Sequence, residues 1–127
     1  MSLRPGLLLA AGLAAAAPAA TRDRDPLDEF AGRVAGPAVN CLSADRAGNL
    51  VALDERTLIY RESRRRIWRN DLPDACPGLN DDSLLVIELF GSGPCKGDRF
   101  HPVQRGSNIP GPSCRLGSFV PYDKVKP

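Results

Sequence analysis

Four cysteines spread along a chain of 127 residues restrict the fold more than any other feature of the sequence. An even number of cysteines in a small exported domain indicates a disulfide framework. Burial of apolar surface alone stabilises a chain of this length only marginally. The four phenylalanines, two tyrosines and one tryptophan make a modest core. We therefore expect one small domain held together by two disulfides, which use Cys41, Cys76, Cys95 and Cys114.

The first 19 residues indicate that the chain is exported. Arg4 gives a positive start, residues 7–17 contain only Leu, Ala and Gly, and Ala17-Pro18-Ala19 is a small-x-small cleavage pattern. Together these features are typical of a secretory signal peptide. The apolar run is about a dozen residues, shorter than the roughly 20 of a membrane-spanning helix. We expect cleavage after Ala19 and a mature chain that is periplasmic or secreted, with no transmembrane segment and, since no cysteine lies near the site, no lipid anchor.

The sequence leaves three ways of pairing the four cysteines. We favour Cys76–Cys95 and Cys41–Cys114, a short loop nested within a long one. In the chain-entropy model these loops would stabilise the domain by roughly 3 and 4–5 kcal/mol. A metal site is the rival interpretation, but the sequence has no C-x-x-C pattern and a single histidine. Zinc sites need closely spaced Cys and His ligands, so we predict no metal and no cofactor.

Residues 20–37 are predicted to be a flexible segment followed by a short amphipathic helix. Asp25 can cap free backbone amides and Pro26 suits the first helical position. Apolar residues then recur on one helical face, at Leu27, Phe30, Ala31 and Val34. Gly36-Pro37 should end the helix.

Residues 38–122 read as about six short strands separated by turns, which favours a small antiparallel barrel or sandwich. The run 84–90 is apolar on both faces and is predicted to be the central strand. Pro102 places its strand at an edge or at a bulge, and Pro121 should end the last strand. Residues 123–127 are a C-terminal tail. The predicted core consists of Trp68, Leu85, Ile87, Leu89 and Phe119.

Three segments around the cysteines form a recognisable pattern: Cys76-Pro77-Gly78-Leu79, Cys95-Lys96-Gly97-Asp98 and Gly111-Pro112-Ser113-Cys114-Arg115-Leu116-Gly117. This pattern resembles a family of small exported proteobacterial proteins known as a domain of unknown function. The likeness covers roughly residues 38–122 and implies a Gram-negative periplasmic setting, but no activity. Relatives in that family often carry glycines where this chain has residues 63–66. The most specific matching pieces are the segments that begin at Cys76 and at Cys95.

The densest charge cluster is a candidate anion-binding patch. Guanidinium groups hold phosphate or carboxylate groups through paired hydrogen bonds. In a periplasm the partner would be an anionic envelope component or a periplasmic protein. The alternative is a solvated hairpin whose arginines discourage aggregation of strand edges. The patch consists of Arg61, Arg64, Arg65, Arg66 and Arg69, with Trp68 among them.

His101 is the one histidine in the chain, so a hydrolase would have to use it as the general base. Its partners would come from Ser92, Ser107, Ser113 and Asp98. No G-x-S-x-G pattern is present, and oxidised cysteines are not nucleophiles. The adjacent acids Asp81 and Asp82 lack the spaced ligands of a calcium loop and read as turn residues.

Charge and compartment together favour a non-enzymatic binding or envelope-associated module. The net charge of the whole chain is +2, and loss of Arg4 with the leader makes it about +1. That balance requires no nucleic-acid partner, and export removes the chain from nucleic acid. The alternative function is a small hydrolase that uses His101.

Overall fold

The computed structural model describes residues 2–3, 5–16, 25–47 and 49–125, except for the side chain of Ala47. The predicted cleavage site after Ala19, and parts of the predicted flexible segment and C-terminal tail, lie outside these residues. A 3-10 helix spans Pro26–Phe30 and a short helix, α1, spans Ala44–Ala47. The strands are β1 (Arg33–Ala35), β2 (Val51–Ala52), β3 (Thr57–Arg61), β4 (Arg66–Asp71), β5 (Ser83–Ile87), β6 (Arg99–Gln104), β7 (Cys114–Arg115) and β8 (Phe119–Lys124).

The strands form two antiparallel sheets, as the predicted mainly β class requires. The large sheet has the order β1-β8-β4-β3-β2, and the small sheet has the order β5-β6-β7. Consecutive strands β3 and β4 pair as a hairpin, with Tyr60 opposite Trp68. The described strands do not close into a barrel. The strands therefore form two separate sheets, and each sheet has to bury its apolar face against the other.

One core lies between side chains of both sheets. The large sheet contributes Leu58, Trp68 and Phe119, and the small sheet contributes Phe100 and Cys114. The predicted core positions Trp68 and Phe119 are confirmed, since both are buried. A second, smaller cluster covers the opposite face of the large sheet, where Phe30 of the 3-10 helix packs on Ile59 and Ile67.

The prediction that residues 84–90 form the central strand is wrong. The strand β5 ends at Ile87 and lies at the edge of the small sheet. Leu85 and Ile87 are partly buried against the core, whereas Leu89 lies outside the strand and is 44% exposed. Leu89 is therefore not a core residue. The outward face of β5 has no layer over it within the described residues, so Leu84 and Val86 stay exposed.

The predicted amphipathic helix is shortened to one 3-10 segment. Its start is as expected, because the Asp25 carboxylate accepts a hydrogen bond from Leu27 N at 2.9 Å and Pro26 occupies the first turn. Gly32 adopts a positive φ of 74°, which glycine tolerates without steric cost, and this turns the chain out of the helix. Val34 then pairs with β8 as part of β1 instead of continuing the helical face.

Proline acts differently in the two strands that contain it. Pro121 does not end β8, because its missing N–H faces away from β4, on the side where its carbonyl accepts from Gly36 N at 2.8 Å. The strand continues to Lys124, into the predicted tail. Pro102 lies in the middle strand β6, beside a bulge. Between the pairs Phe100–Cys114 and Val103–Pro110, the partner segment contains one more residue than β6.

Two disulfides are present as expected, but the pairing we favoured is wrong. The bonds join Cys41 to Cys95 and Cys76 to Cys114, so neither Cys76–Cys95 nor Cys41–Cys114 forms. The reason is strand adjacency and not loop length. Residues 40–42 run antiparallel to residues 94–96, joined by hydrogen bonds from Leu42 N to Pro94 O and from Lys96 N to Asn40 O.

The described residues of the predicted leader, 2–3 and 5–16, form no helix or strand and are exposed. No helix in the described part of the chain is long and apolar enough to cross a bilayer.

Candidate anion-binding site at the basic hairpin

The β3–β4 turn is ordered by its own serine. Ser63 N donates to Arg66 O at 3.0 Å, and Ser63 Oγ accepts from Arg65 N at 3.2 Å and Arg66 N at 3.1 Å. A serine hydroxyl that accepts from the next backbone amides is ordinary turn chemistry. The result is a short turn from which Arg64 and Arg65 extend, both exposed.

Arg33, which the sequence did not single out, ties this turn to the neighbouring strand. Its guanidinium donates to Arg65 O at 3.0 Å, Arg64 O at 3.3 Å and Tyr122 O at 3.4 Å, and to Glu29 O at 3.1 Å. Five N–H donors in a fixed fork suit such a cluster of carbonyl oxygens. Arg33 lies 31 residues from Arg64 along the chain, so no local pattern could have revealed it.

Three of the five predicted patch arginines are paired with carboxylates. Arg61 Nε lies 2.9 Å from Glu29 Oε2, and Arg69 Nε lies 2.9 Å from Asp71 Oδ1. Arg69 also stacks on the ring of Phe30, 4.8 Å from its centroid. These two side chains are therefore engaged in holding the N-terminal 3-10 helix and the sheet face, and they are poorly placed to bind a ligand.

Arg66 is the most strongly engaged arginine. It donates to both carboxylate oxygens of Asp123, at 2.7 and 2.8 Å, and lies 5.6 Å from the centroid of the Trp68 ring. The hydrogen bond from Arg66 holds the pKa of Asp123 below its usual value, and the bond to Asp123 raises the pKa of Arg66. Trp68 itself is 7% exposed, so its ring belongs to the core and not to the patch surface.

The remaining cations form an unpaired group. Among residues 25–47 and 49–125, Arg64, Arg65 and Lys124 make no ion pair. Lys124 N donates to Arg65 O at 2.9 Å. In the pairing of β1 with β8, Lys124 lies directly opposite Arg33. Residues directly opposite each other in a sheet share a face. Arg33 of β1, Lys124 of β8 and Arg65 of the β3–β4 turn therefore stand side by side, although the Arg33 guanidinium bends onto carbonyl oxygens. We call Arg64, Arg65 and Lys124 the basic cluster.

An open groove of about 550 Å³ lies beside the basic cluster, bordered by Arg65, Lys124, Ser63 and the Arg66–Asp123 pair. Glu62 also borders it, but that carboxylate pairs with Arg46 at 2.8 Å. The groove therefore keeps a net positive charge from Arg65 and Lys124. Val125, 64% exposed, adds an apolar wall.

The His101 side chain has partners other than those a hydrolase would need. Its Nδ1 lies 3.3 Å from Gly111 O, and its Nε2 lies 3.8 Å from Glu88 Oε1. In the described chain no hydrogen bond joins His101 to Ser92, Ser107 or Ser113. The remaining candidate partner, Asp98, accepts from Cys95 N at 2.8 Å.

The other candidate chemistry is accounted for by turn structure and by the disulfides. Asn80 Oδ1 accepts from Asp82 N at 2.9 Å, which is turn chemistry of the expected kind. As far as the described residues extend, no three His, Cys, Asp or Glu side chains are grouped to hold a metal ion. All four cysteines are in disulfides.

Compared with known proteins, the chain matches no family model, no curated protein and no solved structure. The resemblance to the small exported proteobacterial family therefore stays a prediction.

Proposed function

We propose that the protein is an exported, non-enzymatic module that binds anionic groups of the cell envelope through the basic cluster. The observation that carries the proposal is the separation of paired from unpaired cations at one end of the large sheet. Arg61, Arg66 and Arg69 have carboxylate partners. The members of the basic cluster have none among the described residues, and two of them, Arg65 and Lys124, border a groove.

Export is supported by the leader pattern of residues 1–19 and by the two disulfides. Disulfides persist in oxidising compartments such as the periplasm and the extracellular space. We infer that the mature chain begins at Ala20. Intact-mass measurement of protein recovered from the periplasm tests this directly, and a cytosolic protein that retains its leader would contradict it.

We also infer that the two sheets pack as a sandwich. The inward residues of both sheets meet in one core, where Phe119 of the large sheet and Phe100 of the small sheet are fully buried. Such a scaffold presents its hairpins at the ends of the sheets. The β3–β4 turn then lies at one end, where a ligand surface can reach it without disturbing the core.

Vesicle binding tests the proposal with two matched variants. Arg64→Ser with Arg65→Ser removes two unpaired charges from the cluster, whereas Arg56→Ser with Arg105→Ser removes two exposed charges elsewhere. Each cation near an anionic lipid surface adds about 1 kcal/mol of attraction, so the cluster variant should bind vesicles containing phosphatidylglycerol roughly thirtyfold more weakly. The control variant should lose much less.

Arg66 is left unchanged in both variants, because its replacement would also break the Arg66–Asp123 pair. Binding should fall as salt concentration rises, since salt screens exposed charges beyond about 10 Å at 0.1 M. Equal weakening of both variants would mean that net charge alone attracts the protein to the membrane. That outcome overturns the proposal. Binding to phosphatidylcholine vesicles that is as strong as binding to phosphatidylglycerol vesicles overturns it too.

A further inference from the structure

A second cationic feature lies on the small sheet, far along the chain from the basic hairpin. Arg99 of β6 stands directly opposite Arg115 of β7. The neighbouring pair, Asp98 and Leu116, carries a backbone hydrogen bond, from Leu116 N to Asp98 O at 3.0 Å. Because hydrogen-bonded and non-hydrogen-bonded pairs alternate, Arg99 and Arg115 form a non-hydrogen-bonded pair. In such pairs the side chains are closest, with Cβ atoms about 5 Å apart.

The two carboxylates that lie next to these arginines, Glu88 and Asp98, make their described contacts with other groups. Glu88 flanks Arg99 on the other side, through the bond from Glu88 N to Arg99 O, but its carboxylate lies 3.8 Å from His101 Nε2. Asp98 accepts from Cys95 N. In the part of the chain that the structure describes, neither Arg99 nor Arg115 makes an ion pair, and both are exposed.

Like charges directly opposite each other destabilise a sheet. A cation on an edge strand discourages pairing with other chains, which accounts for Arg115 on β7 but not for Arg99 on the middle strand. Neither arginine packs in the core. The pair therefore places two exposed like charges side by side, and an anion bound between the two guanidinium groups would relieve their repulsion.

We propose that Arg99 and Arg115 together bind one phosphate group, as free phosphate or as a phosphate monoester. A phosphate monoester carries a charge of about −1.5 to −2 at pH 7 and three acceptor oxygens, enough to serve two guanidinium forks. A carboxylate carries one negative charge and two oxygens, and it is satisfied by a single fork. Two adjacent guanidinium groups without carboxylate partners therefore match phosphate better than carboxylate.

A third cation adjoins the site. Arg115 and Lys96 border the same open groove, together with the Ser118 side chain. Asp71 also borders it, but that carboxylate pairs with Arg69 at 2.9 Å. The groove keeps a positive charge and gives the group attached to the phosphate a place to lie.

Titration with inorganic phosphate at constant ionic strength tests the site, read from the NMR shifts of the arginine side chains. The variant is Arg99→Gln with Arg115→Gln, and the matched control is Arg56→Gln with Arg105→Gln. Each lost charge-assisted hydrogen bond should weaken binding by about tenfold or more. We expect the control to bind phosphate as the wild type does. The Arg64→Ser, Arg65→Ser variant should also bind it, which separates this site from the basic cluster.

A stability measurement keeps the proposal falsifiable if the double variant does not fold. At low salt and without phosphate, Arg115→Gln alone should raise the melting temperature, because it removes the like-charge contact. Phosphate should raise the melting temperature of the wild type but not that of Arg115→Gln. Wild-type protein that does not bind phosphate, or variant protein that binds it equally, overturns the proposal.

Vesicles of phosphatidylcholine with and without phosphatidic acid identify the source of the phosphate, with Arg64→Ser and Arg65→Ser present in every protein tested so that the basic cluster contributes little. Binding that requires phosphatidic acid and is lost in Arg99→Gln, Arg115→Gln assigns the site to a lipid phosphate. Binding of inorganic phosphate without binding to either vesicle assigns it to a soluble ligand. Vesicle binding that the double variant retains counts against a lipid phosphate at this site.

Discussion

At the end of the large sheet where β3 begins and β4 ends, the chain is held by covalent bonds and buried hydrogen bonds, whereas the opposite end is held by exposed ion pairs. We call these the fixed end and the basic end. At the fixed end, Cys76 N donates to Glu55 O next to the start of β3, and Cys41 follows the bridge between Val39 and Phe119. At the basic end, Arg66 binds Asp123 and Arg61 binds Glu29.

The difference separates the parts of the molecule that specify the fold from the parts that are free to bind. Changes at the fixed end should unfold the domain, because they expose or unpair buried groups. Changes at the basic end replace exposed side chains whose ion pairs contribute little to stability. Charge can therefore accumulate at the β3–β4 turn with little cost to folding, as the basic cluster requires.

The largest effect should come from removing the buried disulfide with Cys76→Ala and Cys114→Ala. The loops closed by the two disulfides span 38 and 54 residues, so loop entropy gives each about 4 kcal/mol. Cys76 is fully buried and Cys114 nearly so, whereas Cys41 is exposed. The first variant also loses core packing, and urea unfolding should show a larger loss than for Cys41→Ala with Cys95→Ala. Equal losses would mean that loop entropy alone sets their contributions.

Asn70→Leu is a second substitution that should destabilise the fixed end. Asn70 is 1% exposed, and its side chain donates to Gly117 O and accepts from Gly117 N, both at 2.8 Å. Leucine would leave two buried backbone groups without partners, at a cost of about 1–3 kcal/mol each. Chemical denaturation should report the loss.

Gly117→Ala tests the same contact from the other side. A Cβ at Gly117 would collide with the carbonyl oxygen of Asp71, so the backbone would have to move. We expect destabilisation comparable with that of Asn70→Leu. If both variants are as stable as the wild type, the contact between Asn70 and Gly117 does not stabilise the fixed end.

Sequence patterns predicted the local features of both ends and missed the contacts between distant segments. The Asp25 cap, the β3–β4 hairpin and the burial of Trp68 and Phe119 depend on nearby residues and on side-chain type. The disulfide pairing depends on which segments lie side by side, and spacing along the chain does not determine that. An apolar run cannot tell an edge strand such as β5 from a central one when nothing in the sequence says which layers cover it.

For the candidate site, too, the sequence predicted the local feature and missed the contacts between distant segments. Arginine density pointed to the correct hairpin, but the carboxylates that pair with Arg61 and Arg66 lie 32 and 57 residues away. Lys124 enters the cluster because β8 lies beside β4, which no sequence pattern indicated. The separation of paired from free cations is therefore a result of topology.

Arg33→Gln should have an intermediate effect at the basic end. Its guanidinium donates hydrogen bonds to four backbone carbonyl oxygens. Loss of these hydrogen bonds should lower the free energy of unfolding by about 1–2 kcal/mol. Faster amide exchange should follow at Lys124, whose N–H donates to Arg65 O. The control is Arg61→Gln, which loses one exposed ion pair and should change stability less. Equal exchange rates in the two variants would contradict an anchoring role for Arg33.

The smallest effect is the pH dependence of the Arg66–Asp123 pair. Because Arg66 lowers the pKa of Asp123 in the folded protein, folding favours the ionised carboxylate. The pair therefore stabilises the protein fully above the unfolded pKa of about 3.9 and loses its contribution as pH falls through the folded pKa. NMR titration should give Asp123 a pKa below that value, and Arg66→Gln should return it towards the ordinary range. Asp45 serves as the control, because its pKa is lowered mainly by a hydrogen bond with the Ser43 side chain. The pKa of Asp45 should therefore not change in Arg66→Gln. A pKa of Asp123 that is unaffected by Arg66→Gln would mean that the pair does not hold the basic end together in solution.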